Sequence, residues 1–130
     1  RVAWGDMDAF GHVNNVIYYR YIESARLYYL DHLKILQQDV LTVIASNQCK
    51  YIRPVVYPDI LKIGVRVEEL RNSAMRMHYL IYSEAQQMVV AEADAVIVCV
   101  DRVDMQKTLI PENVRAGIHK IEKTAQHILD

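Results

Sequence analysis

The sequence predicts an α+β fold, with an antiparallel sheet wrapped around one long helix and a second helix at the C-terminus. Three observations predict it. Apolar residues recur at helical spacing between Asn15 and His32. From Val40 to Asp101 the chain changes to β-type runs, rich in Val, Ile and Tyr or alternating apolar with polar. Short polar stretches separate those runs, which favours antiparallel neighbours, and a single long apolar helix needs a broad surface to pack on.

Taken in order, Arg1–Trp4 reads as the end of a strand and Gly5–Asn14 as a polar loop with Asn14 as N-cap. In the helix, Tyr18, Ile22, Ala25 and Tyr29 fall at i, i+4, i+7 and i+11, with Tyr21 and Tyr28 beside them. Arg20, Glu23, Arg26 and Asp31 are expected off that stripe. Strands are then expected over Val40–Pro54, Asp59–Leu70 and Ala74–Glu84. In the second of these Ile63, Val65 and Val67 share a face; in the third Met75, Met77, Tyr79 and Ile81 oppose Arg76, His78 and Leu80. Met88–Asp101 is nearly continuous in apolar residues, as in a central strand covered on both faces. Pro111–Asp130 reads as a helix with Pro in its first turn. The order is β-α-β-β-β-β-α.

A chain of 130 residues suits one domain over 1–130, large enough to bury roughly two thirds of its unfolded surface. With 15 Lys+Arg against 16 Asp+Glu, no bulk field steers nucleic acid. Cys49 and Cys99 lie far apart in apolar stretches, without a C-x-x-C or Cys/His cluster, so they read as small buried hydrophobes. The five histidines are too scattered to suggest a metal site. No segment resembles a signal peptide, and no apolar run approaches the roughly 18–20 residues that span a bilayer. The chain begins at Arg1 rather than Met, so a few residues are expected to precede it. A reduced, soluble, cytoplasmic protein is the expectation.

The most informative stretch is Asp6-Met7-Asp8-Ala9-Phe10-Gly11-His12-Val13-Asn14-Asn15. It sets two carboxylates, an imidazole and two amides ahead of a helix N-terminus. A carboxylate there can act as base or nucleophile, while free backbone N–H groups hold an oxygen that gains negative charge. That pairing suits attack on a carbonyl, and a thioester is a good candidate because its thiolate leaves with little help. A calcium loop would need oxygen donors where Phe10 and Ile17 stand, so that reading fails. A purely structural reading stays open, with Asp6, Asp8 and Asn14 capping and turning and His12 packing the loop.

The stretch Trp4-Gly5-Asp6-Met7-Asp8-Ala9-Phe10-Gly11-His12-Val13-Asn14-Asn15-Val16-Ile17-Tyr18 resembles the signature of the hotdog-fold acyl-CoA thioesterases of the 4-hydroxybenzoyl-CoA thioesterase family. The resemblance continues through Tyr51-Ile52-Arg53-Pro54, Tyr57-Pro58-Asp59, Arg71-Asn72-Ser73, Ala91-Glu92-Ala93, Val98-Cys99-Val100-Asp101 and Ile110-Pro111-Glu112. It implies a curved five-stranded antiparallel sheet wrapped around the helix. It also implies a homodimer or dimer of dimers with each active site at a subunit interface. The family's catalytic carboxylate falls on Asp8, and the backbone N–H that meets the thioester oxygen falls on Asn15. Some relatives carry Tyr or His at that place; an Asn departs from them and leaves only the backbone role implied. His12 belongs to the G-H-V-N-N variant and would position water or orient the loop.

The implied reaction is hydrolysis of an acyl-CoA to free acid and CoA, with CoA as part of the substrate and no separate cofactor or metal. Asp8 would attack the carbonyl or deprotonate a water. Arg53, Arg71, Arg76 and Arg102 are candidates for the CoA phosphates, since guanidinium matches phosphate geometry. By family analogy Ser73 would contact the thioester end. Tyr18, Tyr21, Tyr28 and Tyr29 can line an acyl pocket, although a stripe at that spacing is first of all core. A non-hydrolytic acyl-CoA or acyl-carrier binding protein and a hotdog hydratase are the competing readings.

Overall fold

Helix α1 runs from Asn15 to His32 and ends in Lys34, whose positive φ of 55° stops the helix after the Leu33 and Lys34 amides bond back to Leu30 and Asp31. The structure, a computed structural model, describes residues 2, 7, 15–34 and 40–125, the first two residues of α1 by backbone alone. The expected loop over Gly5–Asn14 and its cap Asn14 therefore lie outside the described residues, apart from Met7, which packs against the core. Of the expected strand at 1–4, only Val2 is described; it is buried, and its N–H donates to the Asp59 carbonyl at 3.0 Å.

The buried stripe of α1 holds Tyr18, Ile22, Tyr29, Leu30 and Leu33, and two residues of the helix depart from expectation. Arg26 is only 6% exposed, because it stands four residues after Ile22 and four before Leu30, on the stripe rather than off it. Its guanidinium reaches Tyr79 Oη at 3.4 Å. Tyr28 departs the other way: it is 69% exposed and stacks on His32 instead of facing the core.

Four antiparallel strands follow: β1 (Val40–Tyr51), β2 (Leu61–Leu70), β3 (Ala74–Ser83) and β4 (Met88–Asp101). Their order in the sheet is β1-β4-β3-β2. Short turns at 71–73 and 84–87 join β2 to β3 and β3 to β4, as expected. The β1–β2 connection differs: residues 52–60, with Pro54 and Pro58, carry the chain across the sheet, so β1 pairs with β4.

Alternation sets the two faces. Met75, Met77, Tyr79 and Ile81 of β3 and Ala91, Ala93, Ala95, Ile97 and Cys99 of β4 are buried and share one core with α1. The other face of β4 is only half-buried at Glu92, Asp94, Val96 and Val98, so this central strand is not covered on both sides within one chain. That face carries an ion network: Arg76 pairs with Asp94 at 3.0 Å, and His78 Nδ1 lies 3.1 Å from the same carboxylate oxygen.

Helix α2 spans Glu112–Thr124, with Pro111 at its N-cap rather than within its first turn. Val114 and Ile118 are buried against the core. At Gly117 a Cβ would stand 2.9 Å from Leu33 Cδ2, so glycine permits the close approach of α2 to the end of α1.

Candidate functional site

Asp8 and His12 lie outside the described residues, so the site is built from what surrounds the start of α1. Asn15 is the first residue of that helix. No acidic side chain occupies the first turn, which leaves the positive end of the helix dipole unneutralised there by its own residues.

Tyr18, one turn in, is buried and stands edge to face with Tyr51 of β1, ring centroids 5.0 Å apart. Tyr21 completes the cluster at 6.4 Å from Tyr18. Burial pushes the Tyr18 hydroxyl above its ordinary pKa, against a hydrogen bond with the Val55 backbone that acts the other way. Cys49 and Tyr51 alternate onto the same face of β1, and burial raises the Cys49 thiol while its bond to Tyr51 opposes the rise. Tyr51 is raised as well, by desolvation first and then by Cys49 and Tyr19 beside it. Among the described residues, the side chains that meet Tyr18 are aromatic, and they suit an uncharged acyl group.

Cys49 and Tyr19 were not singled out for this site from the sequence. The signal was present in the period-two pattern of β1, which places Cys49 two residues before Tyr51 on one face. Tyr28, offered with the other helix tyrosines as a pocket wall, faces solvent and takes no part.

Of the remaining candidates, Arg53 follows Tyr51 by two residues, whereas Ser73 lies far from the cluster in one chain. Arg53 is exposed just after β1, its backbone N–H bonded to the Val90 carbonyl at 3.1 Å. Ser73 occupies the β2–β3 turn, where its carbonyl accepts from the Cys99 N–H at 2.8 Å. With Arg71, Asn72 and Lys107 it lines a cavity of about 670 Å³. Val98, paired with Ala74 next to that turn, and Ala91, paired with Tyr51, lie seven residues apart along β4, roughly 24 Å. One chain thus does not bring Ser73 to Tyr18. Arg71 is held by Glu69 at 2.7 Å and Arg76 by Asp94, so neither guanidinium is idle. Among the described residues no group of three His, Cys, Asp or Glu side chains is placed to hold a metal ion.

The comparisons with known proteins give the class to which this antiparallel sheet and its two helices belong, that of the hotdog-fold acyl-CoA thioesterases. The chain belongs to the Thioesterase-like superfamily, which its residues 2–118 match. It is 30% identical over 121 residues to the long-chain acyl-CoA thioesterase FadM of Escherichia coli, covering 90% of this chain and 92% of that protein. It is 36% identical over 81 residues to the uncharacterized protein YsmA of Bacillus subtilis; the match covers 61% of this chain and 55% of YsmA. Its structure resembles that of a Thermus thermophilus thioesterase complexed with coenzyme A and Zn, with a TM-score of 0.83 and 29% identity over 94% of this chain and 90% of that one.

Proposed function

We propose that the chain hydrolyses an acyl-CoA thioester to the free acid and CoA, as a single hotdog domain over 1–130 whose fifth strand lies at 1–4. The observation that carries this reading is the start of α1 at Asn15, directly after the stretch of sequence that holds Asp6, Asp8 and His12. In the proposed mechanism Asp8 attacks the carbonyl to give a mixed anhydride that water then opens, or it deprotonates the attacking water. The Asn15 N–H and the helix end stabilise the tetrahedral oxyanion, a contribution worth roughly 2.7–4 kcal/mol when one such donor is lost. His12 serves beside Asp8, positioning the water or orienting the loop. The thiolate departs without a dedicated acid, and CoA enters as substrate, so this chemistry calls for no separate cofactor or metal.

Tyr18 walls the acyl group, while Arg53 and Ser73 bind toward the CoA. The distance between Ser73 and the tyrosine cluster in one chain supports a site built between subunits, in a homodimer or dimer of dimers. The setting is cytoplasmic, with neither nucleic acid nor membrane as partner; no described helix is long and apolar enough to cross a bilayer. The test is a thiol-release screen over aryl, short, medium and long acyl-CoAs, with Asp8→Asn as control. Thiol release lost in the control supports the reading. Acyl-CoA binding without release would instead favour a binding protein on the same scaffold.

A further inference from the structure

Tyr51 ends β1 on a firm footing. Its backbone pairs with Ala91 of the central strand β4. The next two amides, of Ile52 and Arg53, both donate to the Val90 carbonyl, at 2.8 and 3.1 Å. The chain beyond is pinned as well, since Val55 is buried and its backbone bonds the Tyr18 hydroxyl. Tyr51 thus stands on a strand end that ladder and loop hold from both sides.

From there its side chain reaches two consecutive residues of α1. The ring meets the buried Tyr18 ring edge to face, centroids 5.0 Å apart. The hydroxyl is hydrogen-bonded to Tyr19 and to the Cys49 thiol. Tyr18 and Tyr19 are the third and fourth residues after Asn15, and in an α-helix the Tyr19 N–H bonds back to the Asn15 carbonyl. One apolar and one polar contact therefore restrain the turn that Asn15 opens. The Asn15 N–H has no partner within the helix, so its direction follows from how that turn is held.

We infer that Tyr51 is a positioning residue: from β1 it holds the first turn of α1, and with it the aim of the Asn15 N–H at the thioester oxygen. The catalytic consequence rests on the hydrolysis proposed above; the anchoring does not. A donor that must meet an oxyanion at about 2.7–3.1 Å tolerates little drift, and a misplacement of about 1 Å can cost about 10²-fold in rate.

Amide hydrogen exchange of the whole chain tests the anchoring without reference to turnover. In Tyr51→Leu the start of α1 is expected to exchange about tenfold faster or more, with β3 and β4 unchanged. Thiol release from an acyl-CoA that the parent hydrolyses tests the consequence. Tyr51→Leu is expected to lower kcat by about tenfold or more and to leave KM within about twofold, a split that mere stabilisation of the fold would not produce. Tyr51→Phe keeps the ring and is expected to lose only about threefold, the scale of one hydrogen bond. Tyr19→Phe breaks the same bond and is expected to match it, with no further loss in the double variant. The phenylalanine variants decide the matter should Tyr51→Leu fail to fold. Parent-like exchange at the start of α1 or parent-like kcat in a folded Tyr51→Leu, or additive losses in the double variant, overturns the assignment. A parent that releases no thiol from any acyl-CoA would defeat the hydrolysis instead, and the exchange rates alone would then decide whether Tyr51 anchors the helix.

Discussion

Tyr18 and Tyr51 meet edge to face at 5.0 Å, tying the first turns of α1 to the end of β1. The Tyr18 hydroxyl adds a bond to the Val55 backbone. Tyr18→Phe keeps the ring and gives up only that bond, so a loss of about 1 kcal/mol is expected. Tyr18→Ala also opens a cavity, and about 3–5 kcal/mol is expected. Urea unfolding midpoints of the two variants check the ratio.

Asp8→Asn is expected to lower kcat by at least about 10²-fold while leaving the thermal midpoint unchanged. Asp6→Asn is expected to matter less, because the proposed mechanism gives Asp6 no chemical step. Equal damage from both would move the assignment within the pair.

In the proposed mechanism the working group at Asn15 is the backbone amide. Asn15→Ala is therefore expected to keep a near-parent kcat, whereas Asn15→Pro, which removes the N–H, is expected to lose about 10²–10³-fold. Steady-state kinetics with circular dichroism as a fold control separates the two. A large loss in the alanine variant would assign the side chain a role.

Arg26 and Tyr79 form a buried pair of a permanent cation and a phenol. Tyr79→Phe leaves the guanidinium without that acceptor; about 1.5 kcal/mol is expected, at the low end for a charged donor because the bond is long. Arg26→Met removes the charge along with the need for it and is expected to cost less. The double variant is expected near Arg26→Met rather than at the sum, in a denaturation cycle.

Burial raises the phenols of Tyr18, Tyr29 and Tyr79; at Tyr29 the neighbouring Glu122 adds to the rise, and at Tyr79 the Arg26 cation opposes it. Below pH about 10 these groups are neutral whether the chain is folded or not. Above it the unfolded chain releases protons that the folded chain keeps, so stability falls as pH rises through that point. Urea midpoints compared at about pH 9 and about pH 10.5 should show the drop, and it should shrink in Tyr29→Phe.

Much of the sheet was legible because alternation is a strict geometric consequence of the pleat: Met75, Met77, Tyr79 and Ile81 fall on the inner face as their spacing requires. Arg26 was misread because charge was taken to outweigh position, when a phenol on the facing strand accepts its hydrogen bond. The pairing of β1 with β4 is a long-range choice that local pattern does not encode, and neither proline in the connection names a partner strand. At the site, the helix start at Asn15 followed from the change of period. The aromatic wall from β1 did not, since it depends on which strand end comes to rest beside α1.

Strand β1 closes one side of the sheet with twelve residues, and Lys50 is the one charge among them. Along its outer margin, amides and carbonyls have no neighbouring strand among the described residues, and Val43 and Ile44 are exposed on it. Such a ribbon is a template for any extended polypeptide that drifts past, correct or not. During overproduction, newly made chains thus meet one another with a zipper half already formed. Recovery of active material is expected to depend on how crowded those chains are while they fold.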